Sequence, residues 1–449
     1  SPGLYRGTIT ARDTKGATAT LPVELRIRDV KLPDLNDHRI AMLGGCVNSE
    51  HALRVSKDEL LCTTATCMIG PTHYGKFTLD ENGDCVAYSQ AGGGKGLDAY
   101  FKLYNRIGFP CREPFISIGG QGYVDPETCG PYKPFTPEYR ACVKKLYGDI
   151  YAAAKSNGLE SVVIDTGGEM GHDAKQPKPK TVEDAIRYFR TVQELVPGLK
   201  VSYRCNCWTT VKNFFPVLQV AGVRGAASWK TCDEMPAEGA KLDYYTYSCS
   251  GRFLNGIHSW AHGAKGNLRE WMCWDHCCNY DDFLCQGDCG GNWHIEMMPG
   301  PGKTFVTSLQ TEAFRASVDD RKYLRLLDRA IAAAKEGPEK ANALAFEAML
   351  RKVIADKMQD RSQAFGYWTS HRNDGNNPWP GLNLELVREV CVRFAKALGA
   401  DGASGLPAFR PPEKDAFRFG LEDGPLVRGG TKAVTAVMNA KAANGERPV

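Results

Sequence analysis

From about residue 37 the chain alternates short apolar runs with amphipathic stretches, and this alternation constrains its fold more than any other feature. It is the mark of parallel β/α units, in which each strand is buried on both faces and the following helix covers it. The expected strands are Arg39–Leu43, Cys67–Gly70, Pro114–Ile118, Ser161–Asp165 and Lys200–Cys205, then either Gly225–Trp229 or Asp243–Tyr247, then Leu268–Trp274 and His294–Met298. Between them, Pro137–Ser156 spaces Tyr139, Val143, Leu146, Ile150 and Ala153 at helical intervals. Thr181, followed by Glu183 and Asp184, has the form of a capped helix start, and Pro197-Gly198 ends that helix. About eight strands over roughly 270 residues predict an α/β fold of the TIM-type (β/α)8 barrel kind.

The flanks follow other patterns. Tyr5–Arg12 and Ala17–Arg28 alternate as two strands around the turn Asp13-Thr14-Lys15-Gly16. A lone hairpin is marginally stable, so this one must complete a sheet begun elsewhere or pack on the main domain. Lys31-Leu32-Pro33 is a linker. Residues 308–358 are helical with a break at Glu336-Gly337-Pro338, and Leu384–Leu398 forms a further helix before a Pro-, Gly- and Lys/Arg-rich end that decorates the surface. The expected domains are 1–33, a barrel over 34–330, and a C-terminal helical extension and tail over 331–449.

Composition removes several function classes. The net charge is +4 with no Lys/Arg run, which argues against a nucleic-acid partner. No apolar stretch reaches the roughly 18–20 residues of a membrane span. Seventeen cysteines suit an oxidising compartment, hence a secreted, periplasmic or cell-surface location. Many of them lie in apolar runs, where a thiol is a small hydrophobe, so disulfides and buried thiols both stand open. The first residues, Ser1-Pro2-Gly3, carry neither an initiating Met nor a signal peptide, the pattern of a chain that begins inside a longer precursor.

A TIM barrel places its chemistry at the C-terminal ends of the strands. There stand Asp165 and Glu169 after the fourth strand, joined by Thr166-Gly167-Gly168, then Asp275 and His276 after the seventh, and Glu296 in the eighth. Glycoside hydrolysis needs one carboxyl group as general acid and a second group as nucleophile, base or charge stabiliser. Glu169 as acid with Asp275 as nucleophile or base is one such pairing. A separation of about 5 Å would favour a retaining route and about 6.5–9.5 Å an inverting one. Trp208, Trp229, Trp274, Tyr245, Tyr247, His73 and Tyr74 are candidates to stack on sugar faces, and Arg204 and Lys230 to hold an anionic sugar. The structural alternatives are that Asp165 caps its turn or pairs with Arg204, and that the aromatic residues fill the core. A non-catalytic carbohydrate-binding barrel would show the same pocket. The segment Cys273-Trp274-Asp275-His276-Cys277-Cys278 lacks zinc-finger spacing, so neither metal nor cofactor is expected. The run Gly92-Gly93-Gly94-Lys95-Gly96 lacks the frame of a phosphate loop, and no Gly-x-Ser-x-Gly elbow occurs.

Three passages resemble glycoside hydrolase family 123 and its uncharacterised relatives. They are the hairpin Pro2–Thr10 with Leu21–Ile27, the β/α series, and the run Met298-Pro299-Gly300, Ser308–Arg315 and Val318–Leu324. The resemblance implies that the hairpin is the end of a β-sandwich preceding the barrel, and that the substrate is a β-linked, N-acetylated hexosamine glycan. It further implies that the substrate's 2-acetamido group attacks, with Asp165 orienting it and Glu169 protonating the leaving oxygen. The family's adjacent Asp-Glu pair is split here by Thr166-Gly167-Gly168, and Gln310 stands where an Arg is usual.

Overall fold

The computed structural model describes residues 3–43, 50–69, 74–90, 97–118, 132–165, 179–205, 212–224, 243–247, 252–270, 297–299, 305–307, 309–360 and 383–399. It opens with the hairpin β1 (Gly3–Arg12) and β2 (Thr18–Ile27), whose turn is tied by Asp13 Oδ1 accepting from the Lys15 and Ala17 amides at 2.9 and 2.8 Å. Strands β3 (Arg39–Leu43) and β4 (Thr66–Ile69) follow, then a second hairpin, β5 (Tyr74–Leu79) with β6 (Cys85–Gln90). Next come β7 (Phe115–Ile118), β8 (Val163–Asp165), β9 (Lys200–Cys205), β10 (Val220–Arg224), β11 (Asp243–Tyr247) and β12 (Gly266–Glu270).

Eight of these form one all-parallel sheet in the order β3-β12-β11-β10-β9-β8-β7-β4. Neighbours in space are neighbours in sequence, except that the consecutive strands β3 and β4 occupy opposite edges. In a flat sheet those edges would lie about 34 Å apart at ~4.8 Å per strand. Here they touch. Thr66 Oγ1 donates to the Met42 carbonyl at 2.6 Å, Thr63 Oγ1 to the His38 carbonyl at 2.6 Å, and the Thr63 and Thr64 amides to the Ile40 carbonyl at 2.9 and 3.1 Å. These hydrogen bonds join the segment leading into β4 to β3, the strand at the other end of the sheet order.

Apolar residues line both faces of the strands. Ile40, Ile116, Ile164, Val201, Tyr203 and Ala221 pack outward with the helices. Ala41, Phe115, Val163, Val220 and Leu268 form a separate buried cluster on the other face. The outer layer comes from α1 (Glu50–Asp58), α2 (Leu97–Ile107), α3 (Pro137–Ser156) and α4 (Pro179–Leu195), through residues such as Phe101, Leu146 and Phe189. Thr136 caps α3 by accepting from the Tyr139 amide at 3.4 Å, and Pro137 supplies the first helical residue. Gly198, at φ 93°, makes the turn from α4 into β9, where a Cβ would meet Tyr151 Oη at 2.6 Å.

Four sequence expectations need correction. Helix α4 begins at Pro179, so Thr181 lies inside it and is no cap. The sixth strand of the sheet is Val220–Arg224, five residues upstream of Gly225–Trp229, because the crossover is only a 3-10 turn, Lys212–Val217, and the strand starts at once after it. Asp243–Tyr247 is a strand as well, so the two are successive rather than alternatives. His294–Met298 is therefore not the eighth strand: Met297–Pro299 (β13) pairs antiparallel with Phe305–Thr307 (β14), apart from the large sheet, and β12 is the eighth. Glu296 and Asp275 lie outside the described residues, and in chain order Asp275 follows the eighth strand rather than the seventh.

Helices α5 (Leu309–Ala333), α6 (Pro338–Asp360) and α7 (Leu384–Ala397) enclose a second core with Phe253, Leu327, Leu350, Ile354 and Val392. From Leu309 to Leu324 the passage Ser308–Leu324 lies in a single helix. Its Asp320 accepts from Arg252 at 2.7 and 2.8 Å and from Arg388 at 2.5 Å, while buried Arg321 donates to the Ala264 carbonyl and to Asn267 Oδ1. These residues dock α5 against β12 and α7. The hairpin β1–β2 is exposed along most of both strands and does not pack on the sheet as a body. At its base Arg28 donates to Glu389 at 3.0 and 2.5 Å and to Tyr323 Oη at 3.2 Å.

Charged groups gather at the N-terminal ends of the parallel strands. Arg39, which opens β3, pairs with Glu113 just ahead of β7, and with Asp243, which opens β11, at 2.9 Å. Lys200, which opens β9, pairs with the same Glu113, and Lys265 with Asp243 at 2.8 Å. Burial pushes the Glu113 and Asp243 carboxyls up, but Arg39 and Lys200 hold the first, and Lys265 and Arg39 the second, below the usual range.

Two histidines nearby, His38 partly buried and His258 fully buried, give the fold an acid limit. Burial, with the charges of Arg321 and Arg325, lowers His38 to about 3, and burial with the neighbouring His262 lowers His258 well below its ordinary value. Both are neutral when folded, whereas the unfolded chain takes up their protons near pH ~6.5. Their stabilisation is complete above that pH and is lost as pH falls toward the folded values, at about 1.4 kcal/mol per pH unit for each. Thermal melts should therefore show Tm falling from pH 7 to pH 5, before the carboxylates protonate, with a shallower fall in His38→Gln. A Tm constant over that window would contradict these assignments.

Candidate active site at the C-terminal ends of the strands

Asp165 is the last residue of β8 and is fully buried. It lies two residues beyond Val163, so strand alternation puts it on the face of Ala41, Phe115, Val220 and Leu268, the concave side away from the helices. Ser117 and Ser202 are its in-register neighbours on β7 and β9. A carboxyl group is thus surrounded by small polar positions at the end of the sheet where parallel strands leave a crevice.

Register places the other expected residues relative to Asp165. Arg204 is two positions beyond Ser202 on β9 and pairs with Gly222, which pairs in turn with Tyr245. Tyr247 pairs with Arg224 and Leu268. All share the parity of the concave face. Tyr74 opens β5 just past the C-terminal end of β4, at the same end of the sheet. Glu169, Asp275, His73, Trp208, Trp229, Lys230, Trp274 and Glu296 lie outside the described residues, as do His276, Cys273, Cys277, Cys278 and the run Gly92–Gly96.

Two charged positions escaped the sequence reading. Glu270 ends β12 in register with Leu43, and Arg224 ends β10 in register with Tyr247, both with concave parity. The signal was hidden because the apolar run Leu268–Trp274 continues past Glu270, and because β10 was placed five residues late.

Among the described residues no group of His, Cys, Asp and Glu could hold a metal ion. Cys67, Cys111 and Cys391 are buried and form no disulfide, and burial pushes the thiols of Cys67 and Cys111 up to about 12 and 11, which makes them inert. No described helix is long and apolar enough to cross a membrane.

No family model matches the chain. It is similar to a solved family 39 glycoside hydrolase from the gut symbiont Bacteroides cellulosilyticus, at 11 % identity over 71 % of each chain and a TM-score of 0.38. It is similar to a family 2 β-galacturonidase from Eisenbergiella tayi, at 13 % identity over 71 % of this chain and 58 % of that one, TM-score 0.37. A β-glucuronidase from Bacteroides uniformis gives 10 % identity over 61 % and 36 %, TM-score 0.33. The chain thus spans little more than half of the galacturonidase and about a third of the glucuronidase.

Proposed function

We propose that this chain is a glycoside hydrolase on a closed (β/α)8 barrel, with Asp165 and Glu169 at its mouth. Closure is supported by the stagger of the sheet. Thr66 is in register with Phe115, Val163 and Lys200; two residues on, Ser202 aligns with Val220 and Asp243; four further, Tyr247 aligns with Leu268 and Ala41; two more reach Leu43. The ladder climbs eight residues before it returns to Thr66, which bonds Met42 beside Leu43. Eight strands with a shear of about 8 define the TIM geometry.

The same stagger sorts the concave positions into layers of four from alternate strands. Arg39, Glu113, Lys200 and Asp243 form the bottom layer. Asp165 shares a layer with Thr66, Gly222 and Leu268. Above it stand Leu43, Ser117, Arg204 and Tyr247, and above those Glu270 and Arg224. The backbone of Tyr245 falls level with Ala41 and Phe115, below Asp165, whereas that of Arg204 and Tyr247 falls above it.

The observation that carries the catalytic reading is the fully buried Asp165 on the concave face at the end of the fourth strand. The substrate is a β-linked, N-acetylated hexosamine glycan, the class implied by the family 123 resemblance, and a secreted or cell-surface enzyme is the matching setting. Asp165 accepts from the substrate's acetamido N–H, turning the amide oxygen toward the anomeric carbon. Glu169 protonates the leaving oxygen as that bond breaks, and its carboxylate then takes a proton from the water that opens the cyclic intermediate. An acid matters most when the leaving group is basic. Glu169→Gln should lose about 10²-fold or more on an alkyl or sugar aglycone but far less on a nitrophenyl one. Full activity of that variant on the poor leaving group would remove Glu169 from the role.

A further inference from the structure

Helix α6 carries two apolar stripes, and the described fold covers one of them. Ala343, Leu350 and Ile354 are buried in the second core with residues of α5 and α7, and Phe346 packs beside them. On the opposite side Ala341, Leu344, Ala345, Ala348, Met349 and Val353 recur at helical intervals, and all are exposed. Leu344, Met349 and Val353 are 43 %, 54 % and 39 % exposed. Among the described residues, every other exposed large apolar side chain lies on one of the two hairpins. A helix that is apolar all round is normally covered all round.

The second stripe is complementary to itself. Lys352 is its one charged member, toward the C-terminal end. A parallel pair of such helices would set the two ammonium groups side by side. An antiparallel two-fold pair, centred between Phe346 and Glu347, sets them about 16 Å apart along the axis and opposes the helix dipoles. In that pair Ala345 meets the partner's Met349 on one flank, and Ala348 meets the partner's Leu344 on the other. The stem of Lys352 crosses the partner's Ala341 while its ammonium reaches water. Both long apolar side chains thus lie over an alanine, so the two surfaces interdigitate at close approach. Such a contact is isologous, the same stripe serving both copies.

We propose that this stripe of α6 is the contact of a two-fold homodimer in which the two helices run antiparallel. The stripe is about 18 Å long and one helix wide, enough to bury roughly 400 Å² per copy, half of the ~800 Å² of a standard interface. The dimer is accordingly weak, with a Kd of about 10–100 µM. The stripe shares no residue with the C-terminal ends of the parallel strands, so the dimer stands or falls apart from the catalytic reading.

Sedimentation equilibrium of the full chain, over roughly a hundredfold range of concentration around that Kd, should show monomer passing to dimer. Ala345→Lys and Met349→Glu, each at an exposed position, should keep the native Tm. Each should weaken self-association about tenfold or more, because it sets a charge against an apolar partner. Mixed in equal amounts, the two variants should associate at least about tenfold more tightly than either alone. One contact then sets the introduced lysine against the introduced glutamate, and its symmetry mate remains Ala345 against Met349. A chain that stays monomeric throughout would leave the stripe to another partner and overturn the proposal. So would self-association unchanged in Met349→Glu, or a mixture that associates no more tightly than its separate variants.

Discussion

Asp165→Asn is expected to lower kcat/KM for an N-acetyl-β-hexosaminide by about 10²- to 10⁴-fold, the range for loss of a group acting in the transition state. The side chain is fully buried at the end of β8, so the isosteric amide keeps the volume and leaves the cluster of Ala41, Phe115, Val163, Val220 and Leu268 undisturbed. What disappears is the negative charge that turns the acetamido group and balances the positive charge formed as it attacks. The loss should fall mainly on kcat, since the rest of the sugar still binds. A variant with native Tm and activity within threefold would leave Asp165 a structural role only.

The second large effect is on stability. Glu113→Ala should cost about 3–5 kcal/mol, because breaking a buried ion pair strands its partners. Arg39 and Glu113 are 5 % and 8 % exposed, and Glu113 is the carboxylate that Arg39 and Lys200 share. Asp243 cannot compensate fully, as Lys265 already draws on it. The combined change Arg39→Met with Glu113→Leu should cost much less than Glu113→Ala, since hydrophobic replacement of a buried pair is often near neutral. Urea unfolding measures both. A loss below about 1 kcal/mol for Glu113→Ala would show that the bottom layer is hydrated rather than sealed.

Much of the sheet was legible because its strands are apolar on both faces and flanked by amphipathic helices. Arg39–Leu43, Lys200–Cys205 and Asp243–Tyr247 form with those bounds, and the helix break at Glu336-Gly337-Pro338 is where expected. Periodicity failed where the β/α rule is broken locally. The crossover before Val220–Arg224 is a six-residue 3-10 turn without a helical repeat, so the strand was sought too late. Met297–Pro299 has strand composition but pairs with Phe305–Thr307, and a short apolar run does not announce its partner. The hairpin Tyr74–Leu79 with Cys85–Gln90 went unread for the same reason. Of the candidate site, the place of Asp165 at a strand end was legible. The bottom layer was not, because Arg39, Glu113, Lys200 and Asp243 are far apart in sequence and only the stagger of the sheet aligns them. The motif around Asp320 and Arg321 was visible in the sequence, and its described contacts join α5 to β12 and α7.

The central claim is that the mouth of this barrel cleaves glycosides with help from an acetamido group. It is tested most directly by measuring hydrolysis of matched aryl β-glycosides that differ only in a 2-acetamido or 2-hydroxyl group. The account predicts cleavage of the N-acetylated substrate, little or none of its hydroxyl counterpart, and loss of the difference in Asp165→Asn. Equal rates on the two substrates would contradict the acetamido mechanism, and no cleavage of either would contradict the enzyme itself.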